Sequence, residues 1–188
     1  MATINHSTLT DPYLHEPKGV ASAGAGAVYV ANGSGSGSWT KAHAHINGYI
    51  DFDATTPAYQ HSVTTSFTVF NPTFLTTNVD GFSGASSPNA RLVYTGAANL
   101  TAFCTFTFNF KNSSGTNRSL ETVFYLNGAP MNGGHIINTA TAGEWKSATL
   151  ADTTSLSTND YIEIYVKADA SFTLDVAGAS LIVQGVPN

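Results

Sequence analysis

The chain of 188 residues carries seven Lys and Arg against twelve Asp and Glu, a net charge of −5, and only 10% of its residues are charged while 42% are hydrophobic. That balance excludes a disordered chain, which combines low hydrophobicity with high net charge, and basic residues scattered singly offer no stripe for a row of phosphates, which argues against direct nucleic-acid binding. The single cysteine, Cys104, excludes an internal disulfide, and no stretch approaches the roughly 20 apolar residues of a membrane helix.

In chain order, residues 1–12 lack the basic start and apolar run of a signal peptide, so a soluble protein made in a host cytoplasm is expected. Residues 11–20 (DPYLHEPKGV) hold two prolines, an aromatic ring and a leucine, which suits an extended peptide lying on another surface. Tyr13, Leu14, His15, Glu16, Pro17 and Lys18 are its candidate anchoring residues, together with Val28, Tyr29, Val30 and Trp39 of the stretch that follows. Residues 21–38 (ASAGAGAVYVANGSGSGS) are small, with one apolar segment at Val28, Tyr29 and Val30, and Trp39 follows. Such a stretch buries little by itself and reads as a flexible linker or as an arm that a partner orders; the segment before it favours the arm. The expected division is an extended N-terminal arm and linker over residues 1–42 and one folded domain over residues 43–188.

From His43 onward a period of two replaces any helical spacing. Ile46, Gly48, Ile50 and Phe52 share one face of a candidate strand, and Val63, Thr65, Phe67 and Val69 share one face of the next. The clearest strand spans residues 102–110, where Cys104, Phe106, Phe108 and Phe110 oppose Phe103, Thr105, Thr107 and Asn109. Ile162, Ile164 and Val166 oppose Tyr161, Glu163, Tyr165 and Lys167; Phe172, Leu174 and Val176 oppose Thr173 and Asp175. Asn71-Pro72, Asp80-Gly81, Ser114-Gly115, Asn127-Gly128, Gly133-Gly134, Asn159-Asp160 and Ala177-Gly178 supply turn chemistry between the runs. Short strands joined by turns predict an all-β sandwich or barrel, and their number suits a jelly roll.

Residue types that carry chemistry do not assemble into a complete set. His43 and His45 project together from an extended segment and are weak metal candidates, because a zinc site takes about three or four ligands. Asp51 and Asp53 flank Phe52, yet nothing near them completes the roughly six to eight oxygens of a calcium site. There is no Gly-x-Ser-x-Gly elbow, residues 33–38 lack the lysine of a phosphate loop, and Glu16, Glu121, Glu144 and Glu163 are too few for a polysaccharide-cleaving carboxylate pair. No enzyme activity, metal or cofactor is expected. The Asn-x-Ser/Thr triplets at Asn5, Asn32, Asn99, Asn112 and Asn117 are expected by chance in a chain so rich in Ser and Thr.

Three stretches in order resemble the jelly-roll domain of the C1q and tumour-necrosis-factor-like families, particularly as it occurs in phage fibre and decoration proteins. They are residues 99–108 (NLTAFCTFTF), residues 124–130 (FYLNGAP), and residues 156–164 (LSTNDYIEI) followed by residues 176–183 (VAGASLIV). Residues 14–20 and 29–39 resemble the leading segments of phage virion proteins of this architecture. The resemblance covers about the last two thirds of the chain and implies a subunit that trimerises about a threefold axis in a virion. No fibrous stalk, coiled coil or collagen-like repeat separates arm from domain. The expected role is therefore a capsid decoration (cement) protein on the phage head surface, partnered by itself and by major capsid protein, without nucleic acid or membrane. A fibre module that binds a host receptor or glycan is the alternative. Phe103, Phe106, Phe108, Phe110, Tyr161 and Tyr165 are candidates for the trimer interface or the core; alternation does not tell which sheet face is covered by a second sheet and which by another subunit.

Overall fold

The computed structural model describes residues 27–31, 37–41, 46–53, 59–73, 75–85 and 91–187. The strands are β1 (Ala27–Ala31), β2 (Gly37–Lys41), β3 (Ile46–Asp53), β4 (Tyr59–Val63), β5 (Thr68–Val69), β6 (Leu75–Asp80), β7 (Phe82–Ala85), β8 (Arg91–Tyr94), β9 (Leu100–Asn112), β10 (Arg118–Leu126), β11 (Ala129–Ala140), β12 (Trp145–Leu156), β13 (Tyr161–Ala168) and β14 (Phe172–Pro187). They fall into two compact units, residues 1–44 and residues 45–188.

In the first unit β1 and β2 form an antiparallel hairpin that sets Tyr29 opposite Trp39 and Val28 opposite Thr40. Val28, Tyr29, Val30 and Trp39, expected in an arm and linker, thus belong to strands. Tyr13, Leu14, His15, Glu16, Pro17 and Lys18 lie outside the described residues, as do His43 and His45.

The second unit is a sandwich of two sheets. One runs β12-β9-β14-β3-β6 with β4 also on β14; the other runs β11-β10-β13-β8-β7 with β5 also on β13. Alternation decides which side chains enter the core. Along β9, Cys104, Phe106, Phe108 and Phe110 are all buried, with Phe106 and Phe108 stacked at 5.1 Å and Phe108 and Phe110 at 4.7 Å. The opposing sheet adds Leu120, Phe124, Ile162, Ile164 and Val166, so both inner faces are apolar. Gly48 of β3 is required by this packing, since a Cβ there would stand 2.8 Å from the Phe82 ring.

Two expectations are corrected. Val63 to Val69 is not one strand, because β4 pairs with β14 in one sheet and β5 with β13 in the other. The chain changes sheets between them through a turn in which Thr64 Oγ1 accepts from Ser66 N–H at 3.2 Å and donates to Ser66 O at 2.9 Å. Gly133-Gly134 and Ala177-Gly178 are not turns either. Each lies inside a strand, where the register shifts against β10 and β9 respectively and the chain bulges. Asn127-Gly128 does turn: with φ of 53° and 78° it closes the β10–β11 hairpin between Leu126 and Ala129.

Candidate functional site

The two outward faces of the sandwich differ in chemistry, and the difference follows from which residues alternate with the core. On the β9 sheet, register aligns rows across β12, β9 and β14. At one end, Ser155 and Thr101 align with Val186, then Thr153 and Phe103 with Gln184. The middle rows are Ala151, Thr105 and Ile182, then Thr149, Thr107 and Ser180. None of these four rows holds an ionisable side chain. Phe103 is 43% exposed and Val186 50%, and between them lies a shallow depression of about 530 Å³. The Thr107 and Thr149 hydroxyls are hydrogen-bonded to each other at 3.0 Å, so the middle of the face is tied across the strands.

Beyond these three strands, Asp51 of β3 continues the Ser180 row, and at the far end Lys111 Nζ bonds Asp175 Oδ2 at 3.2 Å and lies 5.1 Å from the Trp145 ring centroid. Burial pushes the Asp175 carboxyl up, but hydrogen bonds from Ser113, Gln60 and Lys111 and the Lys111 charge outweigh it and hold the group below its ordinary value.

The outward face of the β13 sheet is aromatic and charged. Tyr125 and Tyr165 stack at 3.8 Å, and Phe67 meets Tyr125 edge-on at 6.0 Å. Lys167 lies 4.4 Å above the Phe67 ring and Arg91 4.7 Å above Tyr161. Glu121 bonds both Lys167, at 2.9 Å, and His135, at 2.7 Å. Glu163, only 2% exposed, lies in this face rather than in the core. Burial raises the Tyr165 hydroxyl, and Glu163 and the neighbouring Tyr125 and Tyr161 raise it further.

The six candidate aromatic residues therefore occupy three environments. Phe106, Phe108 and Phe110 fill the core, Phe103 is exposed on the β9 sheet, and Tyr161 and Tyr165 are half-buried on the opposite side of the sandwich. Phe103 shares no surface with the two tyrosines. Its neighbours Val186 and Ile182, and the exposed Trp145 farther along, were not singled out by sequence reasoning.

Among the described residues no three His, Cys, Asp or Glu side chains are grouped to hold a metal ion. Cys104 is fully buried, and burial, with a smaller contribution from Asp152, pushes its thiol up to about 12. Asn112 is also fully buried, its Nδ2 donating to the Thr116 and Ala140 carbonyls while Oδ1 accepts from Ser114. Its triplet is thus closed to modification in the fold.

No family model matches the chain, and no curated protein matches it by sequence. Solved structures do match the sandwich. The tumour-necrosis-factor protein Eiger from S. frugiperda superposes with a TM-score of 0.56 at 7% identity, covering 77% of this chain and 94% of that one. The PRD1 vertex protein P5 superposes with a TM-score of 0.50 at 12% identity, covering 76% of this chain and 97% of that one. The folded unit is a TNF-like jelly roll, as the three sequence stretches implied.

Proposed function

We propose that this chain is a non-enzymatic structural protein of a tailed-phage virion, a trimeric decoration protein that rests on the head surface and ties neighbouring capsomers together. The observation that carries the reading is the run of four charge-free rows across β12, β9 and β14 with Phe103 and Val186 exposed at its end. A monomer gains nothing by leaving those side chains in water, whereas burying a large apolar side chain between subunits contributes about 1.5–3 kcal/mol. Ser, Thr and Ala in the remaining rows let a second surface approach closely without stranding a charge. The likeness in fold to a phage vertex protein supports a virion setting.

Residues 2–39 serve as the anchor to major capsid protein, and many weak contacts repeated by symmetry would then clamp the shell. Deleting residues 2–39 is expected to leave a folded trimer that no longer sediments with capsids. Capsid binding of undiminished strength by the truncated protein would remove the anchoring role. The second reading, a fibre module that recognises a host receptor or glycan, predicts a few copies at the tail or on head fibres. Immunogold labelling of intact particles separates the two, since decoration requires many copies over the head.

A further inference from the structure

The Trp145 end of the β9 sheet carries a small built groove that self-association at the Phe103 end does not use. Trp145 opens β12, is 49% exposed, and faces away from the core although its strand otherwise presents Ser, Thr and Ala there. Its register partner Lys111 lies over the ring, and Lys111 is itself held by Asp175, whose Oδ1 accepts from Gln60 Nε2 at 3.0 Å. The indole is thus braced from one side by a fixed ion pair. In the next row Ser147 Oγ donates to Asn109 Oδ1, which leaves the Asn109 Nδ2 hydrogens without a protein partner among the described residues. On β14 the row holds Gly178, and the bulge beside it adds Ala177, so this strand places no large side chain beside Asn109; Asp53 of β3 continues the row. The result is a groove of about 410 Å³, lined among the described residues by Asn109, Trp145, Lys146, Ser147 and Ala177.

We infer that this groove binds a saccharide, specifically a β-linked chain of glucose or N-acetylglucosamine. An exposed indole offers a flat apolar surface for the C–H face of a sugar ring, and equatorial substituents keep that face flat. A carboxamide with free donors and a neighbouring hydroxyl match the ring's hydroxyl or acetamido groups. Stacked nucleotides would need several unpaired cations along their phosphates; Lys111 is neutralised by Asp175, which leaves Lys146 alone among the lining residues described. A protein partner would need a far larger apolar area than one indole among Ser and Thr. Phe103 and Lys111 stand eight residues apart on β9, roughly 27 Å, so the groove is separate from the proposed subunit contact.

The chain has two tryptophans, Trp39 and Trp145, so the Trp39→Phe protein reports Trp145 alone. Titrated with cellotriose and with triacetylchitotriose at millimolar concentration, its emission is expected to shift and saturate with at least one of them. Saturation-transfer NMR on the full-length protein should show the same sugar protons contacting it, with the signal lost in Trp145→Ala. Asn109→Ala should weaken binding roughly two- to tenfold. An emission unmoved by both trisaccharides overturns the site, and so does binding that survives Trp145→Ala at full strength. Neither outcome changes the test of capsid anchoring, which concerns residues 2–39.

Discussion

At the scale of single residues, His61 shows how burial turns into pH dependence. It is 8% exposed, with Nδ1 3.2 Å from the Tyr59 hydroxyl, Nε2 3.4 Å from Thr68 Oγ1, and the Phe70 ring 5.5 Å away edge-on. These neighbours are neutral, and burial lowers the imidazole below its ordinary 6.5. The unfolded chain therefore takes up a proton that the fold refuses. The stabilisation is fully present above pH 6.5 and is lost as pH falls toward the depressed folded value, by at most about 1.4 kcal/mol per pH unit. Asp175 behaves similarly in a separate window, since its lowered carboxyl contributes only until pH falls below its ordinary 3.8. Urea unfolding of wild type and His61→Gln between pH 7 and pH 5 should show stability falling in the first and nearly level in the second. Parallel curves for the two proteins would mean that His61 is not the titrating group.

At the scale of elements, the bulges carry the shape of the strands. Four residues of β11, Met131 to Gly134, lie between the pairs Val123–His135 and Tyr125–Pro130, and the Asp152 carboxylate of β12 comes up against them. A Cβ at Gly134 would stand 2.5 Å from the Phe124 ring and 3.1 Å from Asp152 Oδ2. The Phe124 ring cannot retreat, because it is buried in the core. Gly134→Ala is expected to cost about 1–3 kcal/mol in thermal or urea unfolding. Gly115, with nothing within 4 Å of its would-be Cβ, is the matched control and should change stability little. Equal stability of the two variants would show that the β11 bulge opens without strain.

At the scale of the whole molecule, the sandwich completes its own core and still leaves Phe103 and Val186 in solvent on one side. If that face is the subunit contact, the protein in solution has the mass of three chains, and Phe103→Asp with Val186→Asp, which buries unpaired carboxylates at the contact, should be a folded monomer. Light scattering of the two proteins checks this. A wild type of single-chain mass, or a double variant that remains trimeric, would place the contact elsewhere. The aromatic and charged face of the β13 sheet is unsuited to the same role in this scheme, because Glu121, Lys167 and His135 already bond one another there.

Alternation alone was enough to show the all-β class and which residues of β9, β13 and β14 share a face, and turn chemistry marked Asn127-Gly128, because strand period and turn chemistry are local properties of the chain. It could not tell a turn from a bulge. Gly133-Gly134 and Ala177-Gly178 have turn composition, and only the neighbouring strands, which continue past them, keep the chain extended. Nor could it show that β4 and β5 belong to different sheets, since one spacing serves both. The exposed Trp145 left a faint trace in the sequence, an indole in phase with Ser147 and Thr149 on the polar side of its strand. Its groove depended on distant partners, Lys111, Asn109 and Ala177, brought beside it by pairing across three strands. Which residues share a face was written locally; which face turns inward, and which outward residues meet, was decided by sheet packing and register, properties of the folded sandwich.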